Sequence, residues 1–245
     1  MKIFLNQITF LLLFILHFPM FASNKDDIYK AYIKSDMVSW KNVIDQMQQQ
    51  NSKTTAFLLE LVNYQYGYIG YCVTEEKFSE AALYLKKAEQ NLALLEIKPE
   101  LESVVQAYKS AFAGYKVSMS PAKAPILGPK SVAFAEKAMQ LDKNSALGYL
   151  QYGNTQYYMP AIFGGSKTVA IDYYKKAQVL MESDLSKVKN DWNYLNLLLT
   201  MARAYTELKY YRTAQQYYDK ILKAEPEFLV VKNELYPKLL KIINK

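Results

Sequence analysis

Residues 144–177 read NSALGYLQYGNTQYYMPAIFGGSKTVAIDYYKKA, and this stretch decides the fold. Before its Gly-Gly pair, Gly153 and Tyr157 stand one helical turn apart. After the pair, Ala170 and Tyr174 repeat that spacing. Side chains three or four residues apart share one face of a helix. Glycine and alanine on such a face let two helices approach closely, and the tyrosines fill the remaining space. The stretch therefore predicts two helices packed as a hairpin.

The same alternation of small and large residues recurs along the chain and predicts an all-α fold of antiparallel helix pairs. Residues 23–52 are expected to form an N-terminal helical hairpin, with Asp36 capping its second helix. Ser52 is expected to cap the helix over 53–73, and Ser166 the second helix of 144–177. A proline-containing connector over 118–129 is expected to be non-helical. The predicted pairs are 53–73 with 78–95, 99–117 with 130–141, the two helices of 144–177, and 191–209 with 212–223. A last helix over 227–243, with a kink at Pro237, is expected to cap the final apolar face.

This pattern resembles the tetratricopeptide repeat (TPR) family. The resemblance covers most of residues 53–245 and is strongest at 144–177 and 195–226. It implies a TPR-like α-solenoid with a C-terminal capping helix. The Pro-x-x-Phe-Gly-Gly turn before an Ala-x-x-x-Tyr-x-x-Ala helix is similar to exported bacterial TPR proteins. A weaker resemblance is to the TPR accessory component of TRAP-type transport systems.

The N-terminus reads as a secretory signal peptide over residues 1–22. Lys2 supplies a positive start, 8–16 is an apolar run, and Pro19 precedes small residues. Cleavage is expected after Ala22 or Ser23, which would place the mature protein in the periplasm or outside the cell. The alternative is a retained membrane anchor. Because the apolar run is short and interrupted, no stable membrane insertion is expected after cleavage.

Two residue types exclude whole classes of chemistry by their scarcity. The only histidine, His17, lies in the predicted signal peptide, and the only cysteine is Cys72. Catalysis by Ser-His-Asp or Cys-His, His-ligated zinc and an intrachain disulfide are therefore excluded from the mature protein. Cys72 stands in an apolar run and is expected to be a buried structural thiol. We expect no catalytic residue, no cofactor and no metal.

The distribution of charge along the chain, rather than its net charge, argues against nucleic-acid binding. The chain carries +7 at pH 7, but its lysines alternate with acidic residues and only Arg203 and Arg212 are arginines. A nucleic-acid surface would show clustered basic side chains. Positive charge of this size leaves weak attraction to anionic envelope surfaces as the expected electrostatic effect.

The resemblance also implies site residues, because the first helix of each TPR pair lines a concave groove. The positions that match are Leu150, Asn154, Tyr157 and Tyr158 in the central unit, Leu199, Arg203 and Glu207 in the last unit, and Tyr64, Tyr68 and Tyr71, in uncertain register, in the first. Asn154 matches the asparagine with which chaperone-type TPRs hold a carboxylate, but Leu150 stands where their lysine would be. For each tyrosine the alternative is packing between repeats.

Three functions fit these observations. The first is a non-catalytic exported scaffold that binds a protein or peptide partner of the cell envelope in the groove. The second is a small-ligand-binding accessory protein of an envelope transport system. The third is a hydrolase without histidine, resting on carboxylates such as Glu75, Glu76, Glu182 and Asp184, and it ranks last. The Gly164-Gly165 turn either presents backbone amides to an anion or is a structural turn with Ile162 and Phe163 tucked under the hairpin.

Overall fold

A computed structural model describes residues 23–244, and over this range the chain is helical without any strand. The predicted all-α class is therefore confirmed. The predicted signal peptide, residues 1–22, lies outside the described residues. Between residues 23 and 244, no helix combines the length and apolar character that a membrane span requires.

The helices follow one another with short connections. They are α1 (Asn24–Lys34), α2 (Met37–Gln49), α3 (Thr55–Thr74), α4 (Phe78–Glu96), α5 (Glu102–Met119), α6 (Ala124–Leu141), α7 (Ala146–Tyr158), α8 (Lys167–Glu182), α9 (Leu185–Val188), α10 (Trp192–Glu207), α11 (Tyr211–Ala224) and α12 (Tyr236–Ile243). Single 3₁₀ turns precede α5, α6 and α8, and a π-helical turn precedes α12.

Polar side chains start several of these helices by accepting hydrogen bonds from free backbone amides. Asp36 accepts from Ser39 N at 3.0 Å, and Ser166 accepts from Val169 N at 3.3 Å, so both predicted caps are confirmed. The predicted cap at Ser52 was wrong. Thr54 accepts from Phe57 N instead, because α3 begins two residues later than expected.

The connector predicted over residues 118–129 is mostly helix, which corrects the sequence-based expectation. α6 begins at Ala124 and runs through Pro129. A proline inside a helix removes one backbone hydrogen bond. Contacts with α5 hold the helix in place: Ser131 Oγ donates to Ser110 O at 2.8 Å, and Ser103 Oγ donates to Ala138 O at 2.9 Å.

The C-terminal segment shows how Pro237 is accommodated. A π-helical turn over Val231–Leu235 leads into α12, and Tyr236 N donates to Val231 O five residues earlier. The extra residue in this turn lies just before the proline, which cannot donate a hydrogen bond to the preceding turn. The predicted irregularity at Pro237 is thus a π-turn.

Four helix pairs make the most extensive contacts: α3 with α4, α5 with α6, α7 with α8, and α10 with α11. They enclose two clusters of buried apolar residues. The first is built on α2 to α5, and the second on α7, α8 and α10 to α12. α1 contributes side chains to both clusters, since Ile28 and Ala31 belong to the first cluster while Tyr29 and Ile33 belong to the second.

The beginning and the end of the described chain are in direct contact. Trp192, the first residue of α10, packs edge-on against Trp40 of α2 with ring centroids 5.0 Å apart. Tyr29 Oη donates to Glu225 Oε2 at 3.0 Å, and Tyr32 Oη donates to Asn196 Oδ1 at 3.1 Å. The hairpin α1–α2 therefore joins the first helix pair to the last.

Candidate functional site

Four of the predicted groove residues, Tyr157, Tyr158, Arg203 and Glu207, come together where the end of α7 meets the end of α10. Tyr157 Oη donates to Glu207 Oε1 at 2.6 Å, and the rings of Tyr157 and Tyr158 lie edge to face with centroids 4.8 Å apart. Lys167, the first residue of α8, pairs with Glu207 and stands 5.7 Å from the Tyr157 ring centre. We call Tyr157, Tyr158, Lys167, Arg203 and Glu207 the Arg203 patch.

Arg203 is the unsatisfied member of this patch. Glu207 already binds Lys167 and Tyr157, and the exposed Arg203 guanidinium has no ion pair or hydrogen bond with another side chain of residues 23–244. Its charge still acts on its neighbours. Partial burial raises the pKa of the Tyr157 hydroxyl, and the Arg203 charge opposes that rise. Tyr157 is therefore a neutral hydrogen-bonding group near neutral pH beside a free cation.

Glu207 is a carboxylate rather than a proton donor at this site. Desolvation raises its pKa, but the hydrogen bonds from Lys167 and Tyr157 outweigh that effect, and the pKa of Glu207 is lowered overall. A general acid needs the opposite shift, so that it keeps its proton near neutral pH. Glu207 therefore orients Tyr157 and Lys167.

Asn154 lies deeper than the patch and is fully engaged. Its Oδ1 accepts from Tyr174 Oη at 2.9 Å, while its Nδ2 donates to Gln151 Oε1 at 3.0 Å and to Tyr66 Oη at 3.4 Å. An amide with both ends used in this way positions its neighbours and has little capacity left for a ligand.

Tyr64 and Tyr68 are not brought to the patch. Both are 3% exposed. The carbonyl of Tyr64 accepts from Trp40 Nε1 at 2.9 Å, and Tyr68 Oη donates to Glu80 Oε1 of α4 at 2.9 Å. The Tyr64 carbonyl therefore ties α3 to α2, and the Tyr68 hydroxyl ties α3 to α4. Both side chains are buried, which corresponds to the packing alternative.

The residue of α3 that does reach toward α7 is Tyr66, which the sequence-based reasoning missed. Its ring stacks on Tyr115 of α5 at 5.6 Å, and Tyr115 Oη donates to Tyr66 O at 3.1 Å. The sequence signal for the contact between Tyr66 and Tyr115 was Gly70, one turn after Tyr66. A Cβ at Gly70 would lie 2.7 Å from Tyr115 Oη, so the glycine leaves the space that the Tyr115 side chain occupies.

The loop between α7 and α8 presents its apolar residues to solvent. Ile162 is 85% exposed and Phe163 is 68% exposed, so the prediction that both tuck under the hairpin was wrong. Gly164 takes a left-handed conformation at φ 95°, and a Cβ at Gly165 would lie 1.9 Å from Met159 O. The two glycines fold the chain back, and the side chains between α7 and this turn point outward.

Two clefts lie elsewhere on the molecule. One of about 310 Å³ is lined by α4, α5 and the first half of α6, including Glu89, Lys109 and Phe134. The other, of about 340 Å³, is lined by Lys143 and residues of α7 and α8. No residue of the Arg203 patch lines either of them.

Cys72 is a structural thiol. Cys72 is fully buried, and desolvation is the main reason that its pKa rises to about 11. Within residues 23–244 no three histidine, cysteine or acidic side chains are grouped as metal ligands.

No protein-family model matches the chain, and no curated protein is significantly similar to it.

Proposed function

We propose that this protein is a non-catalytic, exported scaffold of the TPR type, and that it binds a protein or peptide partner at the Arg203 patch. In this proposal α3, α5, α7 and α10 are the first helices of stacked pairs and line a concave groove. Support comes from the four helix pairs and from the close contact of Gly153 with Tyr174 between α7 and α8. The observation that carries the proposal is the free Arg203 guanidinium beside the 72% exposed ring of Tyr158.

The chemistry of the patch favours a macromolecular partner. Arginine and tyrosine are the side chains most enriched at the energetic centres of protein interfaces. The adjoining loop adds the exposed apolar side chains of Ile162 and Phe163. A small ligand would need a more enclosed site with converging polar groups. Because the patch is open to solvent, a small-ligand-binding accessory protein of a transport system is the second candidate. The lowered pKa of Glu207 argues against a hydrolase that would use this residue as a general acid.

The test uses two exposed residues whose replacement leaves the core intact. Tyr158→Ala with Arg203→Ala removes the aromatic ring and the free cation. Tyr210→Ala with Arg212→Ala is a matched control, because it removes the same residue types from exposed positions around the start of α11. A photo-crosslinking amino acid is placed at position 163, in the exposed loop beside the patch, in the otherwise unmodified protein and in both double variants, and is irradiated in the host.

A defined protein crosslinked from position 163, lost in the Tyr158/Arg203 variant and retained in the Tyr210/Arg212 variant, is the expected result. Equal labelling in the two variants, or no crosslink at all, would contradict a binding site at the patch. Native mass spectrometry of protein purified from its host separates the second candidate, since a bound small mass that survives the Tyr158/Arg203 substitutions would place a ligand elsewhere.

A further inference from the structure

The cleft on the side of α8 combines basic and apolar side chains. Its lining residues are Lys143, Tyr149, Lys175, Lys176, Val179 and Leu180. Val179, in the last turn of α8, is 69% exposed. The cleft therefore offers apolar surface surrounded by three ammonium groups.

The positive charge of this cleft is not neutralised by ion pairs. None of its three lysines lies within 4.0 Å of a carboxylate of residues 23–244. Asp172 stands one turn before Lys175 and Lys176 without pairing with either, and Asp142 accepts a hydrogen bond from Asn144 N. Lys176 Nζ lies 4.8 Å from the ring centre of Tyr173 and 5.7 Å from that of Tyr149. The aromatic rings hold this ammonium group at the surface.

We propose that this cleft is a peripheral docking surface for an anionic phospholipid bilayer. The three lysines would contact lipid phosphates, while Val179, Leu180 and the lysine stems would rest at the boundary of headgroups and acyl chains. Complementary charge identifies this occupant: basic residues next to apolar ones favour anionic membranes, and the net charge of +7 adds long-range attraction. The surface is separate from the Arg203 patch and does not depend on the function proposed for that patch.

The experiment measures partition of the protein, expressed from the full 245-residue sequence, into two kinds of vesicle. One is pure phosphatidylcholine and the other contains phosphatidylglycerol as well. The test variant carries Lys143→Gln, Lys175→Gln and Lys176→Gln. The control carries Lys34→Gln, Lys86→Gln and Lys123→Gln, three exposed lysines outside the cleft with no ion pair in the described chain. Both variants keep residues 1–22 and have the same net charge. Circular dichroism verifies that each variant is folded.

We expect binding to the phosphatidylglycerol vesicles only, weakened about 100-fold in the test variant, because each lysine at an anionic surface contributes roughly a fivefold factor. The control should change binding far less. Val179→Ser should weaken binding without changing net charge. Equal binding to both vesicle types, or equal losses in the two triple variants, would overturn the proposal. Displacement from vesicles by inorganic phosphate at constant ionic strength would also overturn it and indicate a site for a soluble phosphate group.

Discussion

At the scale of single residues, glycines explain more of the packing than any polar motif does. A Cβ at Gly153 would lie 2.5 Å from Tyr174 Cε1, and a Cβ at Gly67 would lie 2.6 Å from Trp40 Cζ2 and 2.7 Å from Trp192. Aromatic rings occupy the space that a side chain would need. These glycines therefore weaken isolated helices and strengthen the contacts between them.

Two glycines in helices provide a matched test of this explanation. Gly153→Ala should destabilise the protein by about 1–3 kcal/mol, because Tyr174 has no room to move within a close-packed core. Gly114→Ala in α5 would meet only Ser131 Oγ, at an ordinary 3.9 Å, and should be neutral or stabilise by up to about 1 kcal/mol, since alanine favours helix. Urea unfolding of both variants measures the difference. Equal destabilisation would show that helix propensity, not the Tyr174 contact, sets the cost.

The two tryptophans differ in how their indole N–H groups are satisfied. Trp40 Nε1 donates to Tyr64 O at 2.9 Å, whereas Trp192 Nε1 is buried and no described residue accepts its hydrogen bond. Trp40→Phe should therefore cost about 1 kcal/mol more stability than Trp192→Phe, which removes an unsatisfied donor along with some apolar area. Chemical denaturation followed by circular dichroism tests this, and a larger loss for Trp192→Phe would contradict it.

At the scale of helices, a carboxylate ties three elements together. Glu182 at the end of α8 accepts from Lys220 Nζ of α11 at 2.6 Å and from Tyr194 Oη of α10 at 2.7 Å. Although desolvation raises the pKa of Glu182, these hydrogen bonds outweigh it, and the pKa is lowered overall. Glu182 is therefore a structural carboxylate that joins α8 to α10 and α11.

This shift predicts a defined dependence of stability on pH. Because the folded-state pKa is below the unfolded value of about 4.3, the stabilisation is fully present above that pH and is lost as the pH falls through the folded-state pKa. Glu182→Gln should cost about 1 kcal/mol at neutral pH. Its difference from the unmodified protein should shrink below about pH 4. Glu234→Gln, at an exposed glutamate without an ion pair in the described chain, is the control. A pH-independent difference at position 182 would contradict the assignment.

At the scale of the whole molecule, the chain closes on itself. Side-chain hydrogen bonds from Tyr29 and Tyr32 span 196 and 164 residues of sequence, and Trp192 belongs to the buried cluster built on α2 to α5. An open stack of repeats would unfold from its ends, because each unit touches only its neighbours. Contacts between first and last units should make unfolding more cooperative.

Hydrogen exchange tests this closure. Trp40→Ala should cost about 3–5 kcal/mol and lower the protection of backbone amides in α10 as well as in α3, because the Trp40 ring lies against Trp192. Phe134→Ala, in a half-buried position of α6, should lower protection mainly in α5 and α6. Loss of protection confined to α2–α4 in the Trp40 variant would mean that the two ends behave independently.

Some of this could be predicted from local pattern. Helical spacing of small and aromatic residues predicted the all-α class and the four pairs, and polar residues predicted the caps at Asp36 and Ser166. The TPR resemblance named Tyr157, Tyr158, Arg203 and Glu207 as groove residues, and their binding of a partner stays a prediction. The helix over 124–129 was missed, because propensity cannot weigh the serine contacts that α5 makes with α6.

By itself the sequence determined most of the helical segments and which helices pair, because these depend on spacing within one segment. Only the tertiary structure decided that α1 lies between the two ends, that Tyr66 rather than Tyr68 reaches toward Asn154, and that Arg203 has no partner. Those outcomes depend on how helices distant in sequence are rotated against one another. Helix rotation is set by the fit of whole side-chain surfaces, and no single segment contains that information.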